Sequence, residues 1–250
     1  MFLLLITSYK KYMRIINFIN KILYPTRYSS DAYIKHMKKI GVKIGGGCYI
    51  FEPKSVNIDL YRPYLLEIGN NVVLCANSTI LTHDYSHCVL NEKYGRNIGD
   101  AKPVKIGDNV FVGIDAMILM GTEIGNNVII GAKSVVFGEI PDNCVVAGNP
   151  AKIICSLDEF YKKRVKNEII CAKKNVILAK DRIGRVPTVN EMGDAFAWLY
   201  LPRTNESIQK YPHFFDLPGQ NNEKVKENFL KSIPLYDSYE IFINEIKDNY

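Results

Sequence analysis

The sequence contains little histidine, no closely paired cysteines and no long apolar run, and each shortage argues against a class of protein. Only four of its 250 residues are histidine, which leaves few ligands for a histidine-rich metal centre. The six cysteines form no Cys-x-x-Cys pair, so we predict reduced, mostly buried thiols in a reducing compartment. The apolar run at residues 2–6 is too short to cross a membrane and lacks the flanks of a signal peptide. The sequence therefore predicts a cytoplasmic globular protein.

Positive charge is concentrated at the amino-terminal end of the chain. Residues 1–43 contain nine Lys or Arg and one acidic residue, so this segment carries a formal charge of +8, whereas the whole chain carries +6. In residues 9–23 basic and apolar side chains alternate, which is typical of an amphipathic helix resting on an anionic membrane. The same pattern suits a helix packed on the protein or on a partner subunit. Both interpretations stay open, and no nucleic-acid partner is predicted.

A repeat of six residues runs through the middle of the chain. Aliphatic side chains recur with this spacing, which neither a helix nor a simple strand produces. Three such hexapeptides would make one coil of triangular cross-section, with the aliphatic side chains stacked inside and several coils needed for a stable core. The repeat positions are Ile44, Ile50, Val56, Ile68, Leu74, Ile80, Ile106, Val112, Ile118, Ile124, Ile130 and Val136.

Turn residues and one long insertion mark where the coils bend. Gly-Asn and Gly-Asp pairs follow several repeat positions, as at Gly107, where we expect a positive φ or a tight turn. The repeat is interrupted at residues 81–103, where we predict a protruding loop in place of two strands. Residues 57–67 are predicted to form a second, smaller bulge. Long loops on rigid scaffolds often carry binding and catalytic residues.

The two ends of the chain have helical signals instead of the repeat. Ser29 is a candidate helix cap, and Ser156 and Thr188 each begin a capping-box pattern. The predicted helices cover residues 32–39, 157–181, 189–199 and 238–247. We therefore divide the chain into a basic amino-terminal helical segment (1–43), a repeat domain (44–154) with the loop 81–103 inserted, and a carboxy-terminal helical extension (155–250).

With these features the sequence resembles the hexapeptide-repeat acyltransferases, in particular the branch of maltose and galactoside acetyltransferases and polysaccharide O-acetyltransferases. The resemblance covers residues 31–154 and is carried by Thr82-His83-Asp84, by residues 103–125 and by the ending at residues 147–152. It implies a mainly β fold, the left-handed parallel β-helix, which is an exception to the right-handed crossover rule. It also implies a homotrimer with active sites between subunits, acetyl-CoA as co-substrate, no metal, and a sugar or surface-polysaccharide precursor as acceptor.

The resemblance matches His83 to the family's loop histidine, which is the general base. A sugar hydroxyl has a pKa far above 7 and must lose its proton as it attacks a thioester. A neutral imidazole, which ordinarily titrates near pH 6.5, suits this task. The position of His83 in the loop that interrupts the repeat agrees with this role. His87 in the same loop is the competing candidate and is otherwise expected to bind the acceptor.

Two acidic residues are candidate partners of this histidine. Asp59 lies near the region where the family binds its acceptor, and we expect it either to bind the sugar or to orient His83 across the trimer interface. The alternative is a corner aspartate that caps its own turn. Asp84 either contacts the acceptor or only orders the loop.

The resemblance places the acyl donor along the outside of the later coils. Backbone groups of Gly113–Ile114 and Gly131–Ala132 are implied to contact acetyl-CoA, and the amide of Ile114 would be the oxyanion donor. Phe137 is expected near the pantetheine arm. Lys152 is expected near a phosphate of CoA, with a solvated lysine as the alternative.

Three functions other than O-acetyl transfer are compatible with parts of this sequence. A zinc enzyme on the same scaffold needs three convergent histidines, but His36 and His213 lie outside the repeat. Transfer to an amine of a nucleotide-linked amino sugar is an alternative that these residues do not separate from transfer to a hydroxyl. A non-catalytic binding or scaffolding module is the third, and the presence of His83 in its motif argues against it.

Overall fold

A computed structural model describes residues 19–247 of the chain. The chain divides after Leu157 into two compact units. Residues 19–23 are helical, but most of the predicted amphipathic segment 9–23 lies outside the described residues. No helix of the described part is both long and apolar enough to cross a membrane.

The first unit is a prism of three parallel sheets, and each coil of the chain adds one short strand to each sheet in turn. Sheet A contains β1 (Lys43–Ile44), β4 (Leu66–Ile68), β7 (Val104–Ile106), β10 (Glu123–Ile124) and β13 (Glu139–Ile140). Sheet B contains β2 (Tyr49–Ile50), β5 (Val73–Leu74), β8 (Val110–Val112), β11 (Val128–Ile130), β14 (Cys144–Gly148) and the antiparallel β15 (Ala151–Ser156). Sheet C contains β3 (Asn57–Ile58), β6 (Thr79–Ile80), β9 (Met117–Ile118) and β12 (Val135–Val136). The predicted parallel β-helix is thus confirmed.

The register stacks the repeat side chains inside the prism, with one departure from the predicted repeat. Ile58, and not Val56, pairs with Ile80 in sheet C. The cause is a turn at residues 51–56, where Glu52 has a φ of 46° and two extra residues precede the strand. Val56 is still buried in the core, so the assignment of Val56 as a repeat position was wrong in register although right in burial.

The inserted segment 81–103 lies at a corner and replaces no strand. Strand β6 of sheet C ends at Ile80, and the next strand is β7 in sheet A, as in an uninterrupted coil. The base of the loop is closed by an antiparallel bridge between His83 and Ala101, and the loop contains helix α2 (His87–Tyr94). The prediction that the loop stands in place of two strands was therefore wrong, since three sheets already complete each coil.

Glycine and asparagine residues have different structural roles at the corner between sheets A and B. A Cβ at Gly107 would lie 2.6 Å from the carbonyl oxygen of Gly125 in the next coil, so glycine is required there for close approach. The positive φ falls two residues later, on Asn109 at 57° and Asn127 at 57°. Asparagine tolerates this conformation better than most residues, and the Asn109 amide donates to the Asn127 side chain at 2.8 Å.

A short helix closes the open end of the prism at the first coil. Helix α1 (Ser30–Ile40) begins after Ser29, whose hydroxyl accepts from the Ala32 amide at 3.2 Å. It buries Tyr33 and Met37 in the same core as the stacked aliphatic side chains. The predicted helix at residues 32–39 is confirmed.

The outer faces of the three sheets differ in chemistry. Outward positions in sheet A are charged and exposed, whereas those in sheet B are mostly apolar and those in sheet C are mixed. The outward residues are Lys43, Glu67, Lys105, Glu123 and Glu139 in sheet A; Tyr49, Val73, Phe111 and Ile129 in sheet B; and Asn57, Thr79, Met117 and Val135 in sheet C.

The second unit is helical and has its own core. Its helices are α3 (Leu157–Ile183, which begins one residue before the unit), α4 (Val189–Met192), α5 (Asp194–Tyr200), α6 (Asn205–Lys210), α7 (Asn222–Lys231) and α8 (Tyr239–Lys247). Buried aromatic side chains, among them Tyr200, Phe215 and Phe229, dominate this core. The predicted capping box of Thr188 and Glu191 is present, but Gly193 with a φ of 73° divides the predicted helix 189–199 into α4 and α5.

Candidate active site

The side chains of His83 and Asp59 meet in one subunit beside the inserted loop. Strands β3 and β6 are parallel neighbours in sheet C, and the Asp59 amide donates to the Ile80 carbonyl at 2.9 Å. The residues that follow both strands therefore lie side by side. Nδ1 of His83 is 2.5 Å from Oδ2 of Asp59. The geometry fits orientation of His83 by Asp59, within one chain and not across an interface, and Asp59 also caps its own turn by accepting from the Tyr61 amide.

The Asp59 carboxylate accepts hydrogen bonds on both oxygens. Oδ2 accepts from the Thr82 hydroxyl at 2.5 Å and the Thr82 amide at 3.1 Å, and Oδ1 accepts from the Tyr61 amide at 3.1 Å. The Asp59 side chain is only 7% exposed. Burial by itself raises the pKa of this carboxyl, but the hydrogen bonds from Thr82, His83 and Tyr61 outweigh burial and lower the pKa to about 2. Asp59 is therefore ionised at neutral pH.

An ionised carboxylate fixes which nitrogen of His83 carries the proton. The carboxylate only accepts hydrogen bonds, so Nδ1 of a neutral imidazole must be the donor and Nε2 keeps its lone pair. No group among residues 19–247 bonds to Nε2. The His83 side chain is 33% exposed, and its neighbour Thr82 is completely buried. The loop is thus anchored at Thr82 while His83 presents a basic nitrogen to the outside.

His83 faces a cleft of 610 Å³. The cleft lies between the inserted loop and the bulge that follows β3. Its lining residues are Tyr61, Arg62, His83, Asp84, Tyr85, His87, Gly99, Asp100 and Ala101.

The other two acceptor candidates, Asp84 and His87, also line this cleft but are engaged differently. Asp84 accepts from the hydroxyl of Ser86 at 2.7 Å and from its amide at 2.8 Å, which lowers the pKa of Asp84. This geometry fits the alternative that Asp84 orders the loop. His87 begins α2 and lies against Tyr85, with 4.4 Å between ring centroids. It makes no contact with Asp59 among the described contacts.

Four of the expected acyl-donor residues lie together at a different edge of the prism, between sheets B and C. A Cβ at Gly113 would lie 2.6 Å from the Ala132 amide nitrogen, and the Lys133 amide donates to the Ile114 carbonyl at 2.9 Å. Gly131 belongs to the same edge, one coil on. Within the described part of the chain the amides of Ile114 and Ala132 have no acceptor, so both remain available to a bound group.

The remaining two donor candidates, Phe137 and Lys152, lie at different places. Phe137 follows β12 at the edge between sheets C and A, which is the edge that carries the inserted loop, and its side chain is exposed. Lys152 is exposed on β15 and pairs with Ala147, the neighbour of Gly131 in the adjacent coil, so it lies towards the edge between sheets B and C. One subunit therefore separates Phe137, but not Lys152, from the edge of Ile114 and Ala132.

The sequence pattern does not identify Thr82, Tyr61 or Arg62 as site residues. Thr82 lies inside the Thr-His-Asp motif, and its hydrogen bonds hold the Asp59 carboxylate in place. Tyr61 and Arg62 lie in the predicted bulge 57–67, but no pattern in that segment showed that it faces His83. Among residues 19–247 no group of three His, Cys, Asp or Glu side chains could hold a metal ion.

Comparison with known proteins places this chain in a family. Residues 103–138 match the model "Bacterial transferase hexapeptide (six repeats)". Protein CapG of Staphylococcus aureus is 38% identical over 141 residues, which cover 56% of this chain and 80% of CapG. Galactoside O-acetyltransferase of Escherichia coli is 34% identical over 118 residues, which cover 46% of this chain and only 57% of that enzyme.

A solved structure of a galactoside acetyltransferase in complex with coenzyme A aligns over 53% of this chain and 73% of its own, with a TM-score of 0.42 and 24% identity. The parallel prism, the six-residue repeat and the match to CapG over most of its length agree. The chain belongs to the hexapeptide-repeat acyltransferase family, whose fold is the left-handed parallel β-helix.

Proposed function

We propose that this protein transfers an acetyl group from acetyl-CoA to a hydroxyl of a sugar or a surface-polysaccharide precursor, with His83 as the general base. The observation that carries the proposal is the contact between Asp59 and Nδ1 of His83, which leaves Nε2 free at an open cleft. The galactoside O-acetyltransferase of Escherichia coli, which is one of the relatives, supports a sugar hydroxyl as acceptor.

The proposed step is a direct transfer. As the acceptor hydroxyl attacks the thioester carbonyl, a C–O bond forms and Nε2 of His83 takes the hydroxyl proton. The C–S bond then breaks, the acetyl group stays on the acceptor, and the proton passes to the sulfur of CoA. Asp59 stabilises the imidazolium that exists between these events. General-base help of this kind contributes roughly 100-fold to 10,000-fold to the rate.

The position of the expected donor site supports an oligomer as the active form. His83 is at the edge between sheets C and A, while the free amides of Ile114 and Ala132 are at the edge between sheets B and C. Because these are different edges of one prism, His83 of one subunit would act with the amides of its neighbour. We propose a homotrimer, with the Ile114 amide as a donor to the carbonyl oxygen of the thioester.

The proposal is tested by CoA release from acetyl-CoA with a panel of sugar acceptors, followed by thiol titration. We expect acceptor-dependent release that is lost in His83→Ala. Mass spectrometry of the product separates an ester on a hydroxyl from an amide on an amino sugar. Acceptor-independent release, or release unchanged in His83→Ala, would contradict the proposal.

A further inference from the structure

The bulge after β3 brings two side chains to the cleft that the proposed mechanism does not use. Tyr61 and Arg62 follow Asp59 by two and three residues, and a short 3-10 helix, Pro63–Leu65, comes next. The Tyr61 amide donates to Oδ1 of Asp59. The position of this part of the bulge is therefore tied to the same carboxylate that orients His83.

Tyr61 presents an aromatic face beside the base. Its side chain is 77% exposed, and its ring centroid lies 5.9 Å from that of His83 at an interplanar angle of 38°. An exposed ring with a fixed backbone offers a flat apolar surface at low entropic cost, and its hydroxyl adds a polar contact. A sugar ring has matching apolar C–H faces and polar edges.

Arg62 is a half-buried cation in the same lining. Its guanidinium carbon lies 5.0 Å from the Tyr61 ring centroid, and no carboxylate of residues 19–247 forms an ion pair with it. The lining also contains two acidic residues: Asp84 accepts a hydrogen bond from the Ser86 hydroxyl at 2.7 Å, and Asp100 forms an ion pair with Lys102 at 2.7 Å. Among the described lining residues Arg62 is the one Lys or Arg, and because no described carboxylate holds its guanidinium, this group can contact a bound anion.

We propose, on the basis of the acceptor transfer inferred above, that Tyr61 and Arg62 form the acceptor subsite and that the acceptor sugar carries an anionic group. Tyr61 stacks on the sugar ring next to His83. Arg62 binds the anionic oxygens with its planar fork, which matches phosphate and carboxylate geometry alike. A glycosyl phosphate and a uronic acid both supply this chemistry.

Binding is measured on the full-length protein by ligand-observed NMR titration with glucose 1-phosphate, glucuronic acid and methyl glucoside. The variants are Arg62→Gln and Tyr61→Leu. The matched controls are Lys93→Gln and Tyr94→Leu, because Lys93 also lies 5.0 Å over the ring of Tyr94 but neither residue lines the cleft. Far-UV circular dichroism checks that each variant is folded.

We expect at least one of the two acidic sugars to bind about tenfold or more tightly than methyl glucoside, as charge-assisted hydrogen bonds do. Arg62→Gln should abolish this preference, Tyr61→Leu should weaken all three ligands, and the controls should behave as wild type. Whether the phosphate or the carboxylate is preferred identifies the source of the charge. Equal binding of acidic and neutral sugars, no binding of any, or an unchanged preference in folded Arg62→Gln would overturn the subsite.

CoA release with the same three sugars separates this inference from the proposed function. If acidic sugars bind through Arg62 but release no CoA, the subsite stands and the transfer reaction is contradicted. If release depends on His83 but the ratio of kcat/KM for acidic and neutral sugars is the same in wild type and Arg62→Gln, the transfer stands and the subsite is overturned.

Discussion

At the scale of single residues, the site is organised around the carboxylate of Asp59. Thr82 donates hydrogen bonds to it through both its hydroxyl and its amide. The buried Thr82 therefore fixes the orientation of the Asp59 carboxylate. The same carboxylate holds Nδ1 of His83 on one oxygen and the Tyr61 amide on the other. Base and bulge are therefore aligned by one buried group, and changes at Asp59 should affect both.

Replacement of His83 by Ala should reduce kcat by about 100-fold or more, because the acceptor hydroxyl then loses its base. KM for acetyl-CoA should change little, since the donor amides lie at another edge of the prism. His87→Ala should cost much less, because His87 does not contact Asp59. Steady-state kinetics on folded, assembled variants test this. A His83→Ala protein within threefold of wild-type kcat would contradict the mechanism. An inactive His87→Ala variant would instead identify His87 as the base.

Asp59→Asn should also reduce kcat by roughly 100-fold or more, since a neutral amide neither enforces the Nδ1–H tautomer nor stabilises the imidazolium. Asp31→Asn, an exposed carboxylate on α1, is the control and should match wild type. The pKa of Asp59 is about 2, so its charge is constant above about pH 4. Any loss of activity between pH 8 and pH 5 must then come from protonation of another group. If His83 is the base, the residual activity of His83→Ala should not fall over this pH range.

The lowered pKa of Asp59 also makes a prediction for stability. A carboxyl whose folded pKa lies below its unfolded value stabilises the protein above the unfolded pKa, here near 3.8, and loses this contribution as the pH falls to the folded pKa. Wild type should therefore exceed Asp59→Asn by at most about 2 kcal/mol in unfolding free energy at neutral pH, and the difference should shrink between pH 4 and pH 2. Urea unfolding across this range measures it. A difference that does not depend on pH would contradict the assigned charge state.

At the scale of elements, the six-residue repeat predicts the strands better than the sequence of the loops predicts the turns. Each repeat position predicts an aliphatic side chain that stacks on another aliphatic side chain in the next coil, so the strands of the later coils follow directly from the spacing. The register of Val56 could not be predicted, because two extra residues in the turn at residues 51–56 change the phase without changing burial. Asp59 is a candidate from the sequence, but its contact with His83 depends on the pairing of β3 with β6, which the changed phase before β3 conceals.

The corner glycines give an element-scale prediction with a matched control. Gly107→Ala places a Cβ 2.6 Å from a backbone oxygen of the next coil, where no side chain can move aside. We expect a loss of about 2 kcal/mol or more in unfolding free energy, within the usual range for overpacking. At Gly99 the added Cβ meets no atom within 4 Å and φ is not positive, so Gly99→Ala should be nearly neutral. Denaturant unfolding of both variants measures the contrast, and equal stabilities would mean that the coils separate more easily than this packing indicates.

At the scale of the whole molecule, the chain joins a repeat unit and a helical unit, each with its own core. The repeat unit carries all the residues of the candidate site. The sequence pattern of residues 158–250 predicts no function for the helical unit, because helix caps and buried aromatic side chains indicate only that helices form and pack. The charged outer face of sheet A and the apolar outer face of sheet B distinguish a side suited to solvent from a side suited to contact.

The difference between these faces predicts how the proposed trimer assembles. Phe111 projects outward from the middle of sheet B and is exposed, although it is a large aromatic residue. Phe111→Asp should weaken assembly, since a charge in an apolar interface is costly to bury. Glu139→Lys, an equally drastic charge change on the outer face of sheet A, should leave assembly intact. Sedimentation at micromolar concentration should give about three times the 28.5 kDa of one chain for wild type and Glu139→Lys, and smaller species for Phe111→Asp. A wild-type monomer would contradict the trimer and, with it, a site shared between His83 and the Ile114 amide of a neighbour.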